Sequence, residues 1–325
     1  MIIEENKMEN IVFLNSERLD FDRQLYFTQL AAFGNLKKYD SSNDDEILER
    51  VKGQSIVITK ELPLHGDLIE RFPSSVKLIC EAGTGYNNID LEAARLKGIT
   101  VCNVPGYSTE AVAQLVITFM LNLSSSLVRQ QEMLRNKDFT SFTEHLQVPH
   151  LEIQKKTLGI IGVGAIGNEV IKIALALGME VLTNTRTART YDHPHIRSVS
   201  LDELLKQSDF VSIHVPLTPE TKHLINEKRL TQMKPSAFII NTSRGSVIKE
   251  SDLIKALQEG TIAGAALDVL EQEPPNLDNP LLYMNNVILT PHIGWKTLES
   301  RQRLIRLLFT NISSFIEGNP LNVVS

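Results

Sequence analysis

A chain of 325 residues with a net charge of −6 and 22% charged residues has room for about two domains, each able to bury its own core. Charges of both signs are interspersed and no Lys/Arg cluster tracks a phosphate backbone, so nucleic acid is excluded as the expected partner. The longest apolar stretch, Leu115 to Leu123, is about half a membrane span and carries Thr118 and Asn122, so it reads as a buried helix and no membrane partner is expected. The start Met1-Ile-Ile-Glu-Glu-Asn-Lys7 lacks both a basic segment and an apolar core, which predicts a cytoplasmic protein, with Met8 as an alternative start. Cys80 and Cys102 lie in apolar runs and read as reduced core thiols.

In chain order, β-rich runs at Ile11 to Leu14, Ile56 to Thr59, Val76 to Cys80 and Ile99 to Val104 alternate with helical segments such as Asp45 to Val51 and Asp90 to Leu96. Strand-helix alternation predicts a parallel sheet. After Pro105-Gly106, Ser108 or Thr109 caps a long helix that runs through Leu127, with an irregularity at Ser124 to Ser126. The span 138–150 shows little pattern and reads as a loop. Six further strands follow, at Thr157 to Ile161, Glu180 to Thr183, Phe210 to Val215, Ala237 to Asn241, Gly264 to Val269 and Val287 to Leu289. A last helical segment, Thr297 to Ile316, is too short for a third domain and is expected to return to the first block. The expected organisation is thus α/β: residues 1–106 and 295–325 form one discontinuous domain around a doubly wound dinucleotide-binding domain at 107–294.

The run Gly162-Val-Gly164-Ala165-Ile166-Gly167 follows an apolar strand and opens a helix, which is the context of a dinucleotide-binding fingerprint. Gly162 permits the sharp turn, Gly164 lets a pyrophosphate approach the backbone, and Gly167 lets helix and strand pack closely. Free amides at the helix start face the phosphates. An NAD enzyme carries an acid about 20 positions after the first glycine to bind the ribose hydroxyls. Here the second strand ends in Asn184-Thr185-Arg186-Thr187, and the next acid is Asp192. A 2′-phosphate suits Arg186, flanked by Thr185 and Thr187, better than a carboxylate does, so NADP(H) is the expected cofactor, with NAD(H) possible.

Open α/β sheets bind ligands at the carboxyl ends of their strands. Arg244, Asp268 with Glu273, and His292 all fall at or just after such ends in the second block. Singly, each reads equally well as a cap, a solvated acid or a rim histidine. Together they make a set suited to keto-acid reduction: Arg244 grips a carboxylate, His292 exchanges the proton, and Glu273 orients His292. His214, at another strand end before Pro216, reads as lining the cofactor. The spacing His193-Pro-His195 has no second ligand pair nearby, so no metal is expected. Neither a GxSxG elbow nor an HExxH helix is present. In the first block, the small residues Gly83-Thr84-Gly85 after an apolar strand can turn backbone amides toward a carboxylate as an anion nest, or serve simply as a strand-to-helix turn.

At these residues the chain resembles the D-isomer-specific 2-hydroxyacid dehydrogenase family. The matching motifs are Val163-Gly164-Ala-Ile-Gly167, His214-Val215-Pro216-Leu-Thr218 with Thr221, Asn241-Thr242-Ser243-Arg244-Gly245, Ala266-Leu-Asp268-Val with Glu273-Pro274, and Pro291-His292-Ile-Gly294-Trp295. The resemblance implies a Rossmann domain inserted into a smaller flavodoxin-like substrate domain, an active site in the cleft between them, and a homodimer. It makes Arg244, Glu273 and His292 the catalytic arginine, glutamate and histidine. Asp268 would lie near the nicotinamide, with Val215, Pro216, Thr221, Thr242, Ser243 and Gly294 around the cofactor. It also favours substrate contact for the 83–85 loop. The stretch Asn103 to Gln114 is similar to that of glycerate dehydrogenases, which act as hydroxypyruvate reductases, although Gln114 stands where a typical relative has Glu or Asp. The chain stops soon after the last helix, without the regulatory domain of many phosphoglycerate dehydrogenases, which points to hydroxypyruvate or glyoxylate as substrate. A corepressor-like nucleotide sensor and a phosphoglycerate dehydrogenase are the alternative readings.

Overall fold

The computed structural model describes residues 8–187 and 189–325. The N-terminal segment Met1 to Lys7, on which the expectation of a missing leader rests, lies outside the described residues. The chain divides into two compact units, one made of residues up to Ser108 together with Trp295–Ser325 and the other of Thr109–Gly294.

In the first unit, β1 (Glu9–Phe13), β2 (Gly34–Lys38), β3 (Ile56–Thr59), β4 (Leu78–Glu81) and β5 (Thr100–Cys102) form a parallel sheet in the order β2-β1-β3-β4-β5. This is the flavodoxin-like order, with its switch point between β1 and β3. Both faces are covered, so alternate residues of one strand enter different cores: Ile11, Phe13, Ile56 and Ile58 on one side, Val12, Leu14 and Val57 on the other. The helix Leu298–Ile316, capped by the Thr297 hydroxyl, buries Leu304, Leu308 and Ile312 in the first of these cores. That burial ties the end of the chain to the first unit.

In the second unit, β6 (Thr157–Ile161), β7 (Glu180–Asn184), β8 (Ile196–Ser198), β9 (Phe210–Ile213), β10 (Phe238–Asn241), β11 (Gly264–Leu267) and β12 (Val287–Leu289) pair in the order β12-β11-β10-β9-β6-β7-β8, all parallel. The order reverses where β6 meets β9, as in a doubly wound nucleotide-binding sheet. Every strand therefore delivers its carboxyl end to one edge. The helix Thr109–Ser125 buries Ala113, Val116 and Met120 in the same core as Leu158, Ile160 and Phe210, which accounts for its apolar composition. No single described helix is long and apolar enough to cross a membrane.

The structure departs from the sequence expectation at both sheet margins and in the span 138–150, where Thr140–Thr143 form a short helix. The second sheet has seven strands rather than six, because β8 pairs only with β7 at the sheet margin. The run Gly34–Lys38 is likewise a margin strand, pairing with β1 alone. Margin strands keep polar, exposed residues and so lack the apolar signature of inner ones. The irregularity expected at Ser124 to Ser126 is a break at Ser126, which adopts a left-handed φ of 49°, and the helix resumes as Leu127–Arg135 at an angle of 59°.

Candidate functional site

The three fingerprint glycines meet three different physical demands. Gly162 has φ of +91°, and a Cβ there would lie 2.8 Å from the His214 carbonyl oxygen. A Cβ on Gly167 would lie 2.5 Å from the Gly162 carbonyl oxygen, so helix and turn touch backbone to backbone. At Gly164 nothing lies within 4 Å of a Cβ position, which leaves the open approach that a pyrophosphate needs. Gly164 begins the helix Ala165–Ala176 without any side-chain cap, so the first-turn amides, those of Ala165, Ile166 and Gly167, remain available to an anion. These residues fit a dinucleotide.

Around this turn, His214 donates its backbone N–H to the Ile161 carbonyl at 2.7 Å, and its Nε2 lies 2.8 Å from Ser212 Oγ. Burial pushes the imidazole down to about 4, so it stays neutral near pH 7. Val215 packs on Gly162. The Thr221 hydroxyl donates to the Pro216 carbonyl at 2.6 Å and holds that turn closed. At the end of β7, Asn184 donates its side-chain amide to the Val199 carbonyl at 3.0 Å, and Thr185 donates its hydroxyl to the Thr187 carbonyl at 2.6 Å. Arg186 and Thr187 are exposed beyond them. The charge of Arg186 reaches Glu220, whose carboxyl is held below its ordinary range mainly by the Thr218 hydroxyl.

The ends of β10, β11 and β12 bring the titratable candidates together. The His292 Nδ1 lies 2.8 Å from Glu273 Oε2, and the other oxygen of Glu273 accepts the Leu270 amide at 3.0 Å. His292 itself sits at φ of 52°, in the left-handed region. It is held there from beneath by Asp268, whose carbonyl accepts the His292 amide at 3.0 Å. The Asp268 carboxylate accepts the Thr290 hydroxyl at 2.6 Å and the amides of Ile293 and Gly294 at 2.7 and 2.8 Å. Asp268 is buried, and this commitment makes it the anchor of the histidine turn. Gly294 has no room for a side chain, since a Cβ would lie 3.0 Å from that carboxylate.

Arg244 follows β10 in a turn shaped by the buried Asn241. The Asn241 oxygen accepts both the amide and the hydroxyl of Ser243, and its NH2 donates to the Arg244 carbonyl at 2.9 Å. The neighbouring Thr242 hydroxyl is buried and has no hydrogen-bond partner among the described residues. Gly245 then lies flush on the next loop, where a Cβ would fall 2.0 Å from the Leu270 carbonyl carbon. The loop carrying Arg244 and the loop carrying Glu273 are thus fixed against each other. Asn241 entered the sequence reading only as the first residue of a motif, and Thr290 was not singled out, because a side chain that ties backbone to backbone shows its role only in the fold. Among the described residues, no group of three or more His, Cys, Asp or Glu side chains is placed to hold a metal ion. His195 pairs with Glu180 at 2.8 Å instead.

The first unit holds a separate locus at the end of β4. The 83–85 loop is pinned on both sides: Val104 donates its amide to the Gly83 carbonyl at 2.8 Å, and Asn103 donates its side chain to the Thr84 carbonyl at 2.7 Å. The Thr84 hydroxyl donates to the Val104 carbonyl at 3.1 Å. Among the described residues, the amides of Gly83, Thr84 and Gly85 donate to no protein acceptor, as an anion nest requires. Just behind them Glu81 is fully buried, accepting the Glu61 amide at 3.0 Å and the Asn88 side chain at 2.9 Å. Desolvation raises its carboxyl from 4.5 to about 7.

Residues 117–294 match the family model described as D-isomer specific 2-hydroxyacid dehydrogenase, NAD binding domain. The chain is 37% identical over 302 residues to a hydroxypyruvate reductase of Blautia hydrogenotrophica, covering 91% of this chain and 94% of that one. It is 38% identical over 323 residues to a glycerate dehydrogenase of Methylorubrum extorquens, covering 97% and 99%. Among solved structures, an acyclic imino acid reductase, Bsp5, in complex with NADPH and D-Arg superposes with a TM-score of 0.86 at 30% identity, covering 97% of this chain and all of that one.

The Glu81 carboxyl gives a stability test with a definite sign. Its folded-state value lies above its ordinary one, so its contribution is fully present below about 4.5 and is lost as the pH rises toward 7. Glu81→Gln removes that loss. In urea unfolding, the stability difference between variant and wild type should move in the variant's favour by about 2 to 3 kcal/mol between pH 5 and pH 8. A difference that does not vary with pH would show that Glu81 ionises freely in the folded chain.

Proposed function

The chain belongs to the D-isomer-specific 2-hydroxyacid dehydrogenase family and is an oxidoreductase using a nicotinamide cofactor, and from that premise we propose that it works mainly as a reductase of hydroxypyruvate or glyoxylate, with His292 as the proton donor. The observation that carries the proposal is the Glu273–His292 contact of 2.8 Å, on the same sheet edge as Arg244 and the glycine turn. The cofactor, when bound, supplies the hydride. With Nδ1 engaged by Glu273, Nε2 of His292 is left to deliver a proton to the keto oxygen. Arg244 presents forked N–H donors to the substrate's carbonyl and carboxylate, and the 83–85 amides take the carboxylate. The amides of residues 165–167 hold the cofactor's phosphates. The names of the two relatives support a small, unphosphorylated substrate.

NADP(H) is the proposed preference. Asn184 and Thr185 end β7 where an NAD enzyme has an acid, and Arg186 stands next to them. Arg186 is exposed, so its guanidinium is open to a 2′-phosphate. The proposed assembly is a homodimer, for which Leu127, Val128, Phe139, Phe142 and Leu146 supply a run of exposed apolar side chains. Light scattering should give twice the mass of one chain, and Phe142→Asp should lower it; a wild-type monomer would refute the dimer.

A matrix of short 2-keto acids against NADPH and NADH is the direct test. Hydroxypyruvate or glyoxylate should give the highest kcat/KM, and His292→Ala should lower kcat by about 10²- to 10⁴-fold while cofactor binding persists. Wild-type protein that oxidises neither cofactor with any of these acids would sink the proposal. Arg186→Ala should raise the NADPH KM by roughly tenfold or more and leave that for NADH unchanged; an unmoved NADPH KM would remove the NADP assignment.

A further inference from the structure

We propose that Lys60 is a positioning residue for substrate, its buried ammonium supplying the fixed positive charge behind the 83–85 loop that makes the loop select a carboxylate. This rests on the reading that the loop binds the keto-acid carboxylate. Lys60 follows β3 and is 1% exposed, an unusual place for an ammonium. Its backbone is locked by Asn15, whose oxygen accepts the Lys60 amide at 2.9 Å and whose NH2 donates to the Lys60 carbonyl at 2.6 Å. The ammonium lies 4.0 Å from the centre of the Trp295 ring and donates to Glu61 Oε1 at 2.7 Å. It is packed against the loop itself: a Cβ on Gly83 would lie 3.2 Å from Nζ and 3.1 Å from Glu81 Oε1.

The two acids beside the ammonium are each drawn on by other groups. Glu61 is shared, with its second oxygen 3.3 Å from Arg18, so its carboxylate is not given over to Lys60 alone. Glu81, the other acid within reach, is deeply desolvated and so opposes the ammonium less than an ordinary carboxylate would. The free amides of the loop are neutral donors and accept any anion or carbonyl oxygen. A cation held against them in a low-dielectric setting favours the ionised carboxylate specifically. Gly83 is what allows the approach, because any side chain would separate ammonium from loop.

The competing explanation is that Lys60 only neutralises Glu81. Steady-state kinetics with hydroxypyruvate and NADPH on Lys60→Met and on Lys60→Met/Glu81→Gln separate the two. With Lys60 as the source of the field, both variants raise the hydroxypyruvate KM by about tenfold, with kcat within about twofold and the NADPH KM unmoved. Lys60→Arg, which restores the charge, should recover part of the loss. If the double variant returns to the wild-type KM, or if Lys60→Met leaves KM unchanged, the proposal is overturned. Should Lys60→Met fold poorly, the double variant, in which the buried acid is gone as well, carries the same readout. Wild-type protein that turns over no keto acid overturns the function itself, whereas turnover with an unmoved Lys60→Met overturns only this assignment.

Discussion

The buried carboxylate of Asp268 is the contact on which the second unit's site depends. A desolvated carboxylate is tolerable only if its lone pairs are filled, and here a hydroxyl and two backbone amides fill them. All three donors come from the turn after β12, so satisfying the acid and shaping the turn are one event. The result is a non-glycine residue, His292, held at positive φ. Such backbone costs on the order of 1 kcal/mol and persists only where the surroundings overdetermine it. Its return is an imidazole fixed against Glu273 in the absence of any ligand. A catalytic group that needs no reordering loses less when a substrate arrives.

The same economy of movement appears between loops. The flush contact of Gly245 on the 270–271 backbone leaves Arg244 and Glu273 no independent freedom, because a shift in either loop opens a gap or a clash in the other. Both loops grow from neighbouring parallel strands whose registers are set by buried pairs such as Ile240 with Ala266. Rigid strands thus position loops that could not position themselves. The glycine turn obeys the same rule one switch point away, with Gly162 pressed on His214 and Val215.

What the sequence made legible follows from which of these contacts are local. Inner strands such as Ile56–Thr59 and Thr157–Ile161 are near-continuous apolar runs, and their limits were read without error. Gly34–Lys38 and Ile196–Ser198 were missed because their pairing is one-sided and their surfaces are wet. The placement of Arg244, Glu273 and His292 at one sheet edge was readable because each follows a recognisable strand. Asp268 was placed beside the cofactor on resemblance, and the structure adds that its carboxylate holds the histidine turn, a tie between segments that no spacing reveals. Lys60 and Glu81 were overlooked for a related reason. In the run Thr59-Lys60-Glu61-Leu62 a lysine reads as a solvated charge, and only the return of Trp295 from the far end of the chain shows it to be buried.

Charge sets the remaining constraint. A chain of net charge −6 has to bind an anionic acid and a cofactor carrying several phosphate charges. Its overall charge is felt only within about 10 Å at ordinary ionic strength, so the potential at each site is decided by the groups next to it. At both loci the immediate donors are backbone amides, from the helix start at 165–167 and from the 83–85 loop, which suit anions without discriminating among them. Discrimination therefore has to come from side chains placed just beyond the amides. Arg186 is exposed and acts on Glu220 only across solvent, so its effect is weak unless a dianionic phosphate contacts it directly. Lys60 is desolvated, so its charge is felt through the loop without contact. Two cations of the same formal charge thus act by different physics, and burial determines which.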